Sequence, residues 1–334
     1  MSASPIFTDI DYEREGKQVG FLHLPYSPHT DAWGVIPIPV AVIRNGEGPT
    51  VLMMGGNHGD EYEGPIVLGR LIRDLDPRSI RGRLIFVPAI NLPAVRAGNR
   101  VSAADGKNMN RTFPGDPLGT PTEQISHYVD SVLFPLADVF MDLHSGGSSL
   151  DLIPSVMMQR PDDDDLRRRT LDAVLAFNAP LTVVMDTLGE RRTSSAAALA
   201  RGLVVIGSEL GSAGAVSLDG LEVCERGVRN VLHHLGVLPA DPLPERRPTR
   251  LMQIAGADSY VFAPADGLFE PFHPLGTWVE EGQPAGQVNF LDDPGRPPLV
   301  AHFRSAGLLF CRRAPGRVER GNGVCVLLSP YDAQ

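Results

Sequence analysis

His58 and Glu61 stand three residues apart in a glycine-rich turn, Gly55-Gly56-Asn57-His58-Gly59-Asp60-Glu61, that directly follows an apolar run. An imidazole and a carboxylate at this spacing hold a metal when a third donor joins them, and catalytic zinc takes three protein ligands plus an open position. A second apolar run ends in Asp142-Leu143-His144-Ser145-Gly146, and we take His144 as the third ligand. Asp142 is placed either to orient a ligand from behind or to sit in the strand. A third run, LVVI, is followed by Gly207-Ser208-Glu209-Leu210-Gly211. A glutamate between glycines at the end of a β-branched run is a candidate general base. Ionisable groups beside buried strands are costly unless a cation or solvent meets them.

Each of these groups needs an element to place it. Residues 51–54 (VLMM) read as a buried strand, and Ile66, Leu68, Leu71, Ile72 and Leu75 recur at helical spacing after the turn. Residues 82–88 form the next strand, and a strand–helix–strand order predicts a parallel pair. The strand ends then share one edge, where open α/β sheets carry their sites. Earlier strands are expected at 19–25 and 33–44, the second an edge strand because Pro37 and Pro39 interrupt it. Residues 91–115 read as a long polar loop carrying Arg96, Arg100 and Arg111, and a loop of that length after a core strand points to function. Helices are expected over 121–134, after the acid run 162–165, and over 219–235.

Residues 239–248 are proline-rich and mark the expected boundary between two domains. The first, 1–240, carries the candidate metal and base residues behind an N-terminal β lead-in. The second, 249–330, holds short strands separated by turn signals such as Asp293-Pro294-Gly295, an all-β module. Its Pro274-Leu275-Gly276 and Trp278-Val279 stretch resembles the barrel-sandwich hybrid of biotinyl and lipoyl domains, without their modified lysine, since no lysine follows Lys107. The expected fold is therefore a mixed, mostly parallel α/β sheet with helices on both faces, followed by a C-terminal barrel-sandwich-like β domain.

The chain has 334 residues and a formal charge of −10, which argues against nucleic-acid or anionic-membrane partners. Three cysteines make no disulfide framework, and the first residues show no signal peptide, so a cytoplasmic setting is expected. No run of about 18 apolar residues spans a membrane.

With His58, Glu61, His144, Glu209 and Asn110-Arg111 in place, the sequence resembles the succinylglutamate desuccinylase/aspartoacylase family over roughly residues 45–330. Within it, the stretches GGNHGDEYEGPI, NLPAVRAG, NMNRTFPG and DLHSGG look most like the branch that deacetylates N-acetyl-2,4-diaminobutanoate in ectoine breakdown. The resemblance implies a zinc carboxypeptidase-like fold and one Zn²⁺ per chain on His58, Glu61 and His144. It implies Glu209 as the catalytic base and an Asn110-Arg111 clamp on the substrate carboxylate. It also implies an oxyanion arginine, Arg100, with Arg96 as the alternative because the spacing from Arg100 to Arg111 exceeds that in aspartoacylases. The implied partner is a small N-acyl amino acid, and a homo-oligomer is compatible with the reading.

Rival readings are another N-acyl amino acid as substrate, a metallocarboxypeptidase, whose access the β module would narrow, and a non-catalytic zinc-containing binding protein. From charge alone, Asp60, Glu63 and Asp151 suggest a cationic amine on the substrate.

Overall fold

The computed structural model describes residues 4–185, 189–239 and 247–332. The chain begins with β1 (Phe7–Thr8), β2 (Gly16–Pro25) and β3 (Val35–Asn45). It continues through β4 (Thr50–Gly55), α1 (Glu63–Asp74), β5 (Gly82–Val87), α2 (Leu92–Ala97) and α3 (Pro121–Tyr128). Then come β6 (Val139–His144), β7 (Leu150–Leu152), β8 (Ser155–Gln159), α4 (Asp164–Phe177) and β9 (Leu181–Met185). The last mixed stretch holds α5 (Ser194–Ala200), β10 (Val204–Glu209), α6 (Leu218–His234) and β11 (Arg250–Gln253).

The heart of the sheet is β5-β4-β6-β10, all parallel. Every residue of β4 and β6 is buried, as continuous apolar strands must be when helices cover both faces. Alternation sorts the side chains. Val51, Met53 and Met141 face the cluster built with α1, α4 and α6, while Leu52, Met54 and Phe140 face α3 and α5. On the far side of β10, β8 runs antiparallel to it and starts a parallel trio with β9 and β11.

Three expectations change. Strand β3 is no edge strand, because it lies between β2 and β5. Its ladder with β5 covers only Ala41 to Asn45, so Pro37 and Pro39 fall where one flank has no partner strand and a missing N–H costs nothing. The helix expected over 121–134 keeps α geometry only to Tyr128. It continues as a π turn and then a 3₁₀ turn around Pro135, which has no N–H to extend the ladder. The 91–115 segment is not structureless: it holds α2 and a 3₁₀ turn at Met109–Arg111. The acid run behaves as expected, with Asp163 accepting from Leu166 N at 2.7 Å as the cap of α4.

The C-terminal strands are β12 (Tyr260–Phe262), β13 (Gly267–Pro271), β14 (Trp278–Val279), β15 (Pro284–Asn289), β16 (Leu299–His302), β17 (Gly307–Arg313), β18 (Arg317–Val318) and β19 (Gly323–Pro330). Four of them, in the order β16-β15-β13-β18, make a separate antiparallel sheet. Phe269, Val288, Phe303, Leu309 and Leu327 form a core of their own there. The segment 240–246, most of the expected domain boundary, lies outside the described residues. Beyond it the main sheet carries on, since β11 pairs with both β9 and β19, and β17 pairs with β7. Arg312 donates to Asp151 Oδ2 from Nε at 2.9 Å and from Nη2 at 2.7 Å across the β7–β17 pair. Among the described residues, no helix is long and apolar enough to cross a membrane.

Candidate active site

Because β4, β6 and β10 are parallel, their carboxyl ends open on one edge. His144 is the last residue of β6 and stands in register with Glu209, the last residue of β10. His58 and Glu61 lie in the turn between β4 and α1. That turn is pinned by a close approach: Gly59 N donates to Asn99 O at 2.9 Å, and a Cβ on Gly59 would sit 1.9 Å from the Ala94 carbonyl oxygen. Gly59→Ala is therefore expected to destabilise the protein by about 3 kcal/mol, at the top of the usual overpacking cost, since backbone cannot step aside as a side chain does. A thermal melt of the variant within a degree of the parent would contradict this.

One ligand atom from each of His58, Glu61 and His144 lies within 4.8 Å of the others. His58 Nδ1 is 2.6 Å from Glu61 Oε1, and His144 Nδ1 is 2.8 Å from Glu61 Oε2. The other ring nitrogens are occupied: His58 Nε2 donates to Asn108 Oδ1 at 3.1 Å, and His144 Nε2 donates to Asp142 Oδ2 at 3.0 Å. With those protons assigned, both Nδ1 lone pairs point at a carboxylate. Such distances need a second ring proton or a bound cation between the atoms, and two imidazoles with one carboxylate are a donor set that Zn²⁺ takes. The residues fit the metal. Burial works against charge on Glu61, but His58 and His144 outweigh it and hold the carboxyl well below its usual range. Burial also disfavours the charged imidazole of His144, yet Asp142 and Glu61 raise it well above its ordinary value.

Glu209 faces the same space. Its Oε2 is sealed from solvent and has no hydrogen-bond partner among the described residues. Burial, then the charge of Glu61, pushes its carboxyl up to about 8. Arg100 Nη1 lies 3.5 Å from Glu61 Oε1, so Arg100 reaches the centre. Arg96, the alternative, instead lines a separate recess with Tyr26, Val35 and Pro93. Asn110 Nδ2 sits 3.5 Å from His144 Nε2. Arg111 lines the same cavity, with Nε 3.5 Å from Glu190 Oε2.

These groups border a cavity of about 230 Å³. Met157, Gln159, Met185, Thr193, Ser195 and Val205 are among the other lining residues, and none of these was identified from the sequence. A larger recess of about 590 Å³ adjoins it through Gln159 and Met185, but holds none of the metal ligands and not Glu209. No residue of the C-terminal strands lines the catalytic cavity, so the β module does not narrow access directly.

The three acids expected to meet a cationic amine do other work. Asp60 Oδ2 accepts from Ser148 N and Oγ at 2.8 and 2.7 Å. Glu63 accepts from Ser145 Oγ at 2.6 Å and Ser217 N at 2.7 Å. Asp151 pairs with Arg312. They hold the surrounding loops and do not line the cavity, which removes the basis for that expectation. Two supporting roles were not assigned from the sequence: that of Asn108, which fixes His58, and that of Ser194, which touches both Asn110 and Asp142. The Asn108-Met109-Asn110-Arg111 run pointed to the first; a Thr-Ser-Ser before alanines signals only a helix start.

A mostly parallel sheet that gathers two imidazoles, a ligand carboxylate and a free carboxylate at one edge defines a zinc-type hydrolase of acyl amino acids. Residues 47–235 match the succinylglutamate desuccinylase/aspartoacylase catalytic domain, and the chain belongs to that family. It is 40% identical over 324 residues to the N-alpha-acetyl-L-2,4-diaminobutyric acid deacetylase of Halomonas elongata, covering 97% of this chain and 95% of that one. The fold superposes on the product-bound ectoine utilization protein EutE (DoeB) from Ruegeria pomeroyi with a TM-score of 0.94, 40% identity, and 98% and 99% coverage of the two chains. A succinylglutamate desuccinylase/aspartoacylase structure from Rhodobacter sphaeroides gives a TM-score of 0.93 with 43% identity, covering 98% of this chain and all of that one.

Proposed function

We propose that this chain removes the acetyl group from N-acetyl-2,4-diaminobutanoate, giving 2,4-diaminobutanoate and acetate. The charge of the cavity argues against a second carboxylate on the substrate, and the choice among the remaining acyl amino acids rests on the likeness to the diaminobutyric acid deacetylase. Among the described residues the cavity has two lining cations, Arg100 and Arg111. Arg100 stands against ligand Glu61, where an oxyanion develops, and Arg111, whose Nε also lies 3.5 Å from Glu190 Oε2, is the remaining cation for one carboxylate. A substrate with a second carboxylate, such as N-acetylaspartate or N-succinylglutamate, would bury it without a cationic partner. The deacetylase from Halomonas elongata supports the same choice through its extensive identity.

Zn²⁺ on His58, Glu61 and His144 would supply Lewis acidity at the amide carbonyl and acidify water near neutral pH. Glu209 takes a proton from the attacking water and returns it to the departing nitrogen, so the C–N bond breaks with the amine leaving neutral. Arg100 meets the negative charge growing on the carbonyl oxygen, a contribution of about 3 kcal/mol for one such donor. Arg111 and the Asn110 amide hold the substrate carboxylate, for which a planar guanidinium is suited. The cavity volume, about 230 Å³, suits a free acyl amino acid better than a peptide. The unpartnered Glu209 oxygen favours catalysis over a structural zinc site. In this reading residues 1–240 form the catalytic unit and 249–330 a β unit that braces it through Asp151 and Arg312. Three free, buried cysteines are consistent with a cytoplasmic setting.

Comparing kcat/KM for N-acetyl-2,4-diaminobutanoate, N-acetylaspartate, N-succinylglutamate and a dipeptide tests the proposal. The first is expected to lead by about 100-fold, the worth of one unpaired buried charge-bearing contact. A lead by N-acetylaspartate would keep the mechanism and overturn the substrate. Arg111→Ala is expected to raise KM by about 10- to 100-fold, the cost of a charge-assisted hydrogen-bond pair, with a smaller change in kcat. An unchanged KM would remove Arg111 from the clamp.

A further inference from the structure

Ser194 is fully buried at the first position of α5, between Asn110 and Asp142, which otherwise meet only through His144 among the described residues. Its backbone N–H is one of those a helix leaves free at its start, and it donates to Asn110 Oδ1 at 3.0 Å. That bond settles the Asn110 amide. Oδ1 faces the helix, and the NH₂ group is turned to the cavity as a donor. The alternative orientation would set NH₂ against N–H. The Ser194 hydroxyl has one hydrogen, and its closest acceptor is Asp142 Oδ2, the atom that also receives His144 Nε2–H at 3.0 Å. Asn110 Oδ1, 3.2 Å from the same hydroxyl, is already served by the N–H. Asp142 Oδ1 has no partner at all among the described residues, so Oδ2 alone anchors the carboxylate, with Asn57 Nδ2 at 3.3 Å as its remaining donor.

We propose that Ser194 is a positioning residue with two separable parts: its hydroxyl fixes Asp142 and through it the metal ligand His144, and its N–H fixes the Asn110 amide that clamps the substrate. The inference rests on the metal-dependent reading above. Thr193 is extended (φ −85°, ψ 154°) and caps α5, which is compatible with proline at the next position. Ser194→Ala therefore removes the hydroxyl alone, and Ser194→Pro removes the hydroxyl and the N–H.

The test follows the rate at which zinc-loaded protein loses Zn²⁺ to excess chelator, and KM at saturating zinc. Ser194→Ala is expected to speed zinc loss by about 10- to 100-fold, the usual effect of losing a partner behind a ligand, with KM little changed. Ser194→Pro is expected to match that rate and also to raise KM by about 3- to 10-fold, the worth of a neutral hydrogen bond. Ala200→Gly, exposed on the same helix, weakens α5 without touching the network and should leave zinc loss within about twofold. Equal zinc loss from Ser194→Ala and the parent overturns the inference, as does an equal acceleration by Ala200→Gly. Should Ser194→Pro not fold, the comparison of the other two still decides. A parent protein that takes up no zinc fails earlier, at the metal-dependent reading itself, and takes this inference with it.

Discussion

Glu209→Gln is expected to lower kcat by about 10³-fold, within the range that general acid–base catalysis contributes, while zinc content stays at one per chain. The substitution is isosteric, so the strand end and its register with His144 are kept. What it removes is the ability to accept a proton. The environment explains why this carboxylate, among several acids near the centre, has that task. Asp142 is bound to His144, Asn57 and Ser194, and Glu61 is bound to both imidazoles. Asp142 Oδ1 also lacks a partner, but its Oδ2 is fully engaged, whereas Glu209 has a buried Oε2 without a partner and no side-chain hydrogen bond among the described residues. Its carboxyl is pushed up to about 8 by burial and by the charge of Glu61. A cation held by Glu61 cancels part of that repulsion and brings the group toward neutrality, where a base is most useful. Paired measurements of kcat and metal content check this. A glutamine variant within about tenfold of the parent, below the usual general-base contribution, would show that another group moves the proton.

Glu61→Gln is expected to abolish turnover by a different route, through loss of the metal. Glu61 is 3% exposed and meets both Nδ1 atoms, so it is the junction of the site. An amide there offers one weak oxygen and an NH₂ group that competes for the imidazole lone pairs. Zinc affinity should fall by more than the roughly 100-fold that changes behind the ligands cost. The variant should emerge from size-exclusion chromatography with little zinc, whereas Glu209→Gln should keep it. The two variants are thus both inactive but opposite in metal content. If Glu61→Gln retained stoichiometric zinc, the three-residue centre would be wrong.

What could be read in advance follows from how each feature is encoded. The strand ends were legible because apolar runs stop at glycine turns, and His58, His144 and Glu209 each sit directly after such a run. Parallel pairing then brings them to one edge without further information. The role of β3 was misread because its two prolines report only on the local flank, and the ladder to β5 begins beyond them. Asp60, Glu63 and Asp151 were misread for a similar reason. Their charge is visible in the sequence, but the serine hydroxyls, backbone N–H groups and arginine that consume it arrive from distant segments. Gln159, Met185 and Ser194 carry no motif; they reach the site because β8, β9 and α5 stand beside β10 or just before it, a matter of topology rather than local pattern. The continuation of the main sheet past the expected boundary was hidden likewise, since β11 and β19 pair across a long stretch of chain.

The most direct measurement is acetate release from N-acetyl-2,4-diaminobutanoate by the purified protein as isolated, after exhaustive chelation, and after Zn²⁺ is added back. Turnover is expected in the first state, none in the second and recovery in the third. Turnover that chelation leaves untouched would contradict the metal centre; zinc-replete protein that releases no acetate would contradict the substrate.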